Sequence, residues 1–312
     1  MKILFLDETH PILYSIFEKK GWTIEIDTTS SKEQIESKLP RFDGLIVRSR
    51  MVLDEQFISH AKNLKFIGRP GAGLENIAVE FAEKKGIHVF RSPEGNRDSV
   101  AEHGIGMLLM LFNKLNSANW EVKNGQWNRK SNWGEEVMGK TVGLIGYGVM
   151  GKAMAQRFSG FGVNCIAYDK YLDEYSDEFC KQVSLEELKE TADIVSLHTP
   201  LTEETKGYVN EAFINSMSKP FYLINTARGQ SVVLDDLVKG LKSKKVLGAC
   251  LDVLEYEKTS FESMFEENKT DSFDHLAKAH NVLLSPHVAG WTQQSNVKIA
   301  QFLGERITEY FH

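Results

Sequence analysis

Val142-Gly143-Leu144-Ile145-Gly146-Tyr147-Gly148-Val149-Met150-Gly151 is an apolar run that breaks into glycines and resumes with helical spacing. It reads as strand, tight turn and helix. Gly146, Gly148 and Gly151 stand in G-x-G-x-x-G spacing: the first permits the turn, the second lets backbone approach a pyrophosphate, and the third lets helix pack closely on strand. The spacing alone also occurs in ordinary βα turns, so the context has to decide. Met150, Met154, Phe158 and Phe161 mark one face of a helix that Gly162 can end, and Val163 to Tyr168 follow as a second strand. Asp169 closes that strand 23 positions after Gly146, where a carboxylate accepts hydrogen bonds from an adenosine ribose and repels a 2′-phosphate. The stretch predicts a dinucleotide site that prefers NAD.

The composition bounds what can surround this site. At 312 residues, 42% hydrophobic and 26% charged, the chain is long enough for two globular domains. A net charge of −6 and a pI near 5.9 argue against nucleic acid or an anionic membrane as partner, since both reward a basic face. Cys165, Cys180 and Cys250 show no paired or metal-site spacing, as expected of reduced thiols in a cytoplasmic core. No apolar run approaches a membrane span, and Met1 to Asp7 is too short for a signal peptide.

Toward the N-terminus, short apolar strands alternate with amphipathic helices, an α/β pattern. Strands are expected at Lys2 to Leu6, Thr23 to Asp27, Gly44 to Arg48, Lys65 to Gly68 and Ile87 to Phe90, with a capping box at Ser31-Lys32-Glu33-Gln34. Sheets of this kind bind ligands beyond the carboxyl ends of their strands, which directs attention to Val47 to Arg50 and Arg69 to Asn76. Gly71 and Gly73 there would expose backbone amides. Ser99-Val100-Ala101-Glu102 is a second capping box, and the apolar helix it opens, His103 to Phe112, is expected to be buried and to cross between domains near Ser92 to Arg97. Trp120, Trp127 and Trp133 lie in a polar stretch around Gly125 and suit either an interface or a core.

Toward the C-terminus, strands at Ile194 to Leu197, Phe221 to Asn225, Gly248 to Val253 and Asn281 to Leu284 each end in a polar cluster. The clusters are His198-Thr199-Pro200, Thr226-Ala227-Arg228-Gly229, Asp252, and Ser285-Pro286-His287-Val288-Ala289-Gly290. They converge on the edge that carries the glycine turn. Glu255 to Lys278 reads as an acidic surface excursion, and Val297, Ala300, Leu303, Ile307 and Tyr310 as a final amphipathic helix.

The glycine fingerprint with Asp169, Asn225-Thr226-Ala227-Arg228-Gly229, Asp252-Val253 followed by Glu257, and Pro286-His287-Val288-Ala289-Gly290 together resemble the D-isomer-specific 2-hydroxyacid dehydrogenases. The likeness runs almost end to end. Val47-Arg48-Ser49, Gly68-Arg69-Pro70-Gly71-Ala72-Gly73 and Asn76-Ile77 look most like the phosphoglycerate dehydrogenase branch, without an appended regulatory domain. The resemblance implies an α/β fold of two doubly wound parallel-sheet domains. A flavodoxin-like substrate domain (1–93 and 291–312) flanks a Rossmann-type NAD domain (94–290), with the active site in the cleft and a homodimer built on the NAD domain.

It also implies a catalytic set of Arg228, Glu257 and His287. NAD would be held by Gly146, Tyr147, Gly148, Val149, Met150, Gly151, Asp169, His198, Thr199, Pro200, Thr226, Ala227, Asp252 and Gly290, and substrate by Arg48, Arg69, Gly71, Ala72 and Gly73. The family commonly has proline after the catalytic glutamate; this chain has Lys258, which leaves Glu255 as an alternative to Glu257. The residue types suit the reduction of a 2-keto acid. His287 is a general acid, Glu257 would hold its other ring nitrogen, and Arg228 offers a planar charged fork for carboxylate and carbonyl. Arg48 and Arg69 are surplus to that chemistry and fit a second anionic group.

The expected activity is thus NAD-dependent interconversion of 3-phosphoglycerate and 3-phosphohydroxypyruvate. Glyoxylate or hydroxypyruvate reduction is the alternative within the family. Outside it stand a peptide-binding module resembling the C-terminal-binding-protein corepressors and a catalytically dead NAD-binding protein.

Overall fold

The computed structural model describes residues 1–257 and 270–312; Lys258 and the middle of the expected acidic excursion lie outside the described residues, and its last part is not an excursion but a helix, Asp271–Lys278, whose Leu276 is buried in a hydrophobic core. The described chain divides into two compact units, 1–97 with 291–312, and 98–257 with 270–290.

In the first unit, β1 (Lys2–Phe5), β2 (Thr23–Ile26), β3 (Gly44–Ile46), β4 (Phe66–Arg69) and β5 (His88–Arg91) form a parallel sheet. Their order, β2-β1-β3-β4-β5, is the flavodoxin-like doubly wound arrangement. The central strands are apolar on both faces because both are covered. Leu4, Leu45 and Ile67 pack with Ile35 and Phe57, while Ile3, Phe5, Ile46 and Phe66 pack with Leu13, Phe17, Leu303 and Ile307. The helix Lys32–Lys38 opens with the Ser31/Gln34 capping box read from the sequence. The last helix, Gln293–Tyr310, starts at a capping box of Thr292 and Ser295 and buries Ile299, Ala300, Leu303 and Ile307 within this unit.

In the second unit, β6 (Thr141–Ile145), β7 (Asn164–Tyr168), β8 (Lys181–Gln182), β9 (Ile194–Leu197), β10 (Phe221–Asn225), β11 (Val246–Leu251) and β12 (Val282–Leu284) form one parallel sheet. The order β12-β11-β10-β9-β6-β7-β8 reverses direction between β6 and β9, the topological switch point of a Rossmann-type sheet. Again alternate residues divide between two cores. Ile145, Leu197, Leu223 and Leu251 face one side, and Leu144, Ile194, Ile224 and Cys250 the other.

Two sequence readings shift. The helix at the start of the second unit runs Arg97–Phe112, so Ser99 sits buried inside its first turn instead of capping it. The chain reaches it from the turn Pro93–Gly95, where a Cβ added to Gly95 would meet the Ile299 backbone at 2.5 Å. That close packing fixes where the helix begins and overrides the local capping pattern. The aromatic stretch is not core: Trp120, Trp127 and Trp133 are 61%, 77% and 74% exposed.

The three cysteines are free and buried, yet Cys165 and Cys180 bring their sulfurs to 3.5 Å, a pairing their spacing does not disclose. No helix among the described residues is long and apolar enough to cross a membrane.

Candidate active site

Strand register builds the edge of the second unit. Ile145 is level with Tyr168 and Leu197, Leu197 with Asn225, Asn225 with Leu251, and Leu251 with Leu284. The residues that follow, Gly146, Asp169, His198, Thr226, Asp252 and Ser285, therefore emerge side by side at the carboxyl edge. That is where doubly wound sheets bind their ligands.

At the switch point the three glycines meet different constraints. Gly146 has φ +94°, and a Cβ there would press on the His198 carbonyl at 2.8 Å. At Gly151 it would strike the Gly146 carbonyl at 2.2 Å, so helix Val149–Phe158 lies hard against the turn. A Cβ at Gly148 would meet nothing within 4 Å, and no side chain caps the helix that Gly148 opens. An open approach to uncapped amides at a helix N-terminus fits a pyrophosphate.

Asp169 is held ready beside it: one carboxylate oxygen accepts the Tyr147 N–H at 2.8 Å and the other the Tyr171 N–H at 2.9 Å. Both oxygens keep lone pairs for ribose hydroxyls. The Tyr147 side chain turns away into the core, where its hydroxyl donates to Asp177 at 2.9 Å. Its contribution to the turn is backbone only. Val149 and Met150 form the helix's first turn, and Lys170 beyond Asp169 pairs with Glu204 at 2.7 Å.

Further along the edge, burial pushes His198 down to about 4, so its ring is neutral at physiological pH, with Nε2 2.9 Å from Ser196 Oγ. Thr199 borders the Gly146 turn, and the Pro200 carbonyl accepts the Thr205 hydroxyl at 2.6 Å. After β10, fully buried Asn225 donates to the Arg228 carbonyl at 2.9 Å and accepts the Ala227 N–H at 3.0 Å. That clamp shapes the turn carrying Thr226, Ala227 and Arg228, whose guanidinium donates to the Ala227 carbonyl at 2.7 Å.

Beyond β11 and β12 the geometry chooses between the two glutamates. His287 Nδ1 lies 2.8 Å from Glu257 Oε2, while the other Glu257 oxygen accepts the Leu254 N–H. Glu255 instead accepts the Leu234 N–H at 2.9 Å, at the start of helix Leu234–Lys242. His287 occupies the left-handed region at φ +55°, a conformation costing a non-glycine residue roughly 1–3 kcal/mol and persisting only where its surroundings enforce it. Its N–H donates to the carbonyls of Asp252 at 2.7 Å and Ser285 at 3.1 Å.

The Asp252 side chain is 1% exposed. Its carboxylate accepts Ser285 Oγ at 2.6 Å, Val288 N–H at 2.9 Å and Ala289 N–H at 2.8 Å. It ties down the loop that runs from Ser285 to Gly290. Sequence reasoning missed this role, and it missed His103, whose Nε2 lies 2.8 Å from Ser285 Oγ. A histidine opening the apolar run His103 to Phe112 was the available signal, although that run is not buried all round, since Met110 is 41% exposed.

The first unit holds the remaining candidates. At its own switch point, the Arg48 N–H donates to Asp7 at 2.6 Å, and the Arg48 guanidinium lies 5.6 Å from the Trp291 ring centre. Arg69 ends β4 with its guanidinium folded over Gly71, close enough that a Cβ there would meet Nη1 at 2.3 Å. The carbonyl of Gly71 accepts the Ser92 N–H at 2.9 Å and that of Ala72 accepts Arg91 at 3.2 Å, which fixes the loop leading to Gly73. Arg50 is engaged otherwise, donating to the carbonyls of Leu6, Asp27 and Ser30.

The profile of the D-isomer specific 2-hydroxyacid dehydrogenase NAD binding domain matches residues 105–289. The chain is 33% identical over 309 residues to a D-3-phosphoglycerate dehydrogenase of Archaeoglobus fulgidus, covering 98% of this chain and 56% of that one. It is 36% identical over 286 residues to a hydroxypyruvate reductase of Thermotoga maritima, covering 91% and 90%. Among solved structures, a D-lactate dehydrogenase of Aquifex aeolicus complexed with NAD and lactic acid superposes with a TM-score of 0.84 at 29% identity, covering 100% of this chain and 95% of that one. Against several phosphoglycerate dehydrogenases the chain spans only about half of the relative's length. The chain belongs to the D-isomer specific 2-hydroxyacid dehydrogenase family and carries its NAD-binding domain.

Proposed function

We propose that this protein is an NAD-dependent D-2-hydroxyacid dehydrogenase interconverting 3-phosphoglycerate and 3-phosphohydroxypyruvate. The observation that carries the reaction class is the His287–Glu257 pair at 2.8 Å, in the same unit and at the same sheet edge as Arg228 and the glycine turn. NAD, when bound, supplies the hydride chemistry. Gly146 to Gly151 would receive its pyrophosphate, Asp169 its ribose, and the 198–200 and 226–227 turns would flank it. His287, oriented by Glu257, donates a proton to the carbonyl oxygen during reduction and takes it back during oxidation. Arg228 binds carboxylate and stabilises the developing alkoxide. The 71–73 amides are assigned to the carboxylate.

Arg48 and Arg69 carry the phosphate reading, because neither is needed for keto-acid chemistry and each stands at the carboxyl end of a first-unit strand. A guanidinium fork matches phosphate oxygens through charge-assisted bonds, and stacking on Trp291 holds Arg48 in one orientation. Hydroxypyruvate reduction is the second reading, favoured by similarity over 90% of the Thermotoga maritima hydroxypyruvate reductase.

The test is NADH consumption with 3-phosphohydroxypyruvate, hydroxypyruvate and glyoxylate. We expect kcat/KM to favour the phosphorylated acid at least about tenfold, equivalent to about 1.4 kcal/mol. Arg48→Ala or Arg69→Ala should erase most of that margin and leave glyoxylate turnover nearly intact. A preference for hydroxypyruvate or glyoxylate in the wild type promotes the second reading. No turnover of any 2-keto acid removes the reaction assignment and leaves the peptide-binding module and the catalytically dead NAD-binding protein.

A homodimer and a cytoplasmic setting complete the proposal. Exposed Trp120, Trp127 and Trp133 support the first, and neighbouring yet unbonded Cys165 and Cys180 suit a reducing compartment.

A further inference from the structure

We propose that His103 is a positioning residue, which fixes the placement of His287 by anchoring the 285–289 loop through Ser285 and Asp252. The inference rests on the reading of His287 as the proton donor, and on one question of proton bookkeeping. Ser285 Oγ has a single proton and two close partners, Asp252 Oδ1 at 2.6 Å and His103 Nε2 at 2.8 Å. An ionised carboxylate only accepts, so the hydroxyl proton points to Asp252 and His103 must present an N–H at Nε2. The donors therefore run in one direction, His103 to Ser285 to Asp252. His103 Nε2 is itself 3.5 Å from Asp252 Oδ1.

The bonds that shape the loop converge on Asp252. Its carboxylate takes the N–H groups of Val288 and Ala289, and its carbonyl takes that of His287. A carboxylate 1% exposed depends on every donor it has, because water cannot replace one that leaves. The helix supplying His103 is a firm support. Ala101, Ile105 and Leu108 around it are buried, and a Cβ built on Gly104 would lie 3.6 Å from Thr226 Cγ2, beside the Arg228 turn.

Without the His103 N–H, Ser285 Oγ loses the donor that sets its position beside Asp252 Oδ1, and the carboxylate loses the support of a ring nitrogen 3.5 Å away. Both changes loosen the hold on a residue at φ +55°. Small misplacements of a proton donor slow the reaction strongly, while the glycine turn and Asp169 are left untouched.

The experiment compares His103→Ala with His103→Gln, whose amide N–H can reach Ser285 Oγ. In His103→Ala we expect kcat for keto-acid reduction to fall about tenfold or more with KM for NADH within about twofold. His103→Gln should recover most of the loss. A second readout needs no turnover: the ring ¹⁵N resonances of His287 should move in His103→Ala and return in His103→Gln. Wild-type kcat and resonances in His103→Ala overturn the proposal, as does a glutamine variant no better than alanine in both readouts. A loss shared equally between kcat and NADH binding also overturns it. A wild-type protein inactive on every 2-keto acid instead overturns the reaction assignment, and the resonances then decide the role of His103.

Discussion

The imidazole of His287 meets Glu257 at 2.8 Å, while Glu255, two residues earlier, spends its carboxylate on the Leu234 N–H. The two glutamates thus do separate jobs, one orienting a ring and one satisfying a helix N-terminus. Glu257→Gln should lower kcat by roughly 10²-fold, within the range for impaired general acid–base catalysis, and leave NADH affinity unchanged. Glu255→Gln should keep kcat within about twofold and cost about 0.5–1 kcal/mol of stability. Steady-state kinetics and urea melts on both variants check this, and the opposite pattern would show that the wrong carboxylate has been named.

Cofactor choice should follow Asp169, with Glu204 as an accessory. With Asp169 assigned to the ribose, its carboxylate would repel a 2′-phosphate, and the nearby cation, Lys170, is engaged by Glu204 at 2.7 Å. We expect kcat/KM for NADH to exceed that for NADPH by about 10²-fold in the wild type, the scale of a few kcal/mol for like charge near a site. Asp169→Ala should narrow the gap, and adding Glu204→Gln should narrow it further by releasing Lys170. Equal use of both cofactors by the wild type contradicts the assignment.

The exposed tryptophans lead to a prediction about assembly. Three large aromatics more than 60% exposed within one short stretch suit an interface better than a solvated surface. Light scattering coupled to size exclusion should find a dimer at micromolar concentration. The combined Trp120→Glu, Trp127→Glu and Trp133→Glu variant should be a monomer that still binds NADH with wild-type affinity. A monomeric wild type removes this surface from consideration.

Stability should carry an acid-sensitive component from Asp27. The Lys38 ammonium and the Ser30 N–H hold this carboxyl far below the usual carboxylate range. A depressed folded-state pKa means that the stabilisation is complete above the unfolded value near 4 and drains away as pH falls through the folded one. Asp27→Asn should therefore be about 1–2 kcal/mol less stable than wild type at pH 7, with the gap shrinking steadily below about pH 4. Urea melts at pH 7 and pH 3 make the comparison, and a gap that is the same at both sinks the idea.

The sequence by itself determined the alternation of apolar strands and amphipathic helices, the glycine turn, and the polar clusters at the strand ends. Each is a local property: a strand buried on both faces is apolar throughout, and a turn at φ +94° against a carbonyl accepts only glycine. Parallel register then brings those clusters to one edge with little freedom, so Gly146, Asp169, His198, Thr226, Asp252 and Ser285 were legible as neighbours. Tertiary structure alone decided which glutamate meets His287, that Asp252 looks inward, that Cys165 lies against Cys180, and that Lys170 is already paired. It also brought His103 to Ser285 across 182 positions of chain. Those choices depend on side-chain directions where separate elements pack, and no periodicity within a single element encodes them.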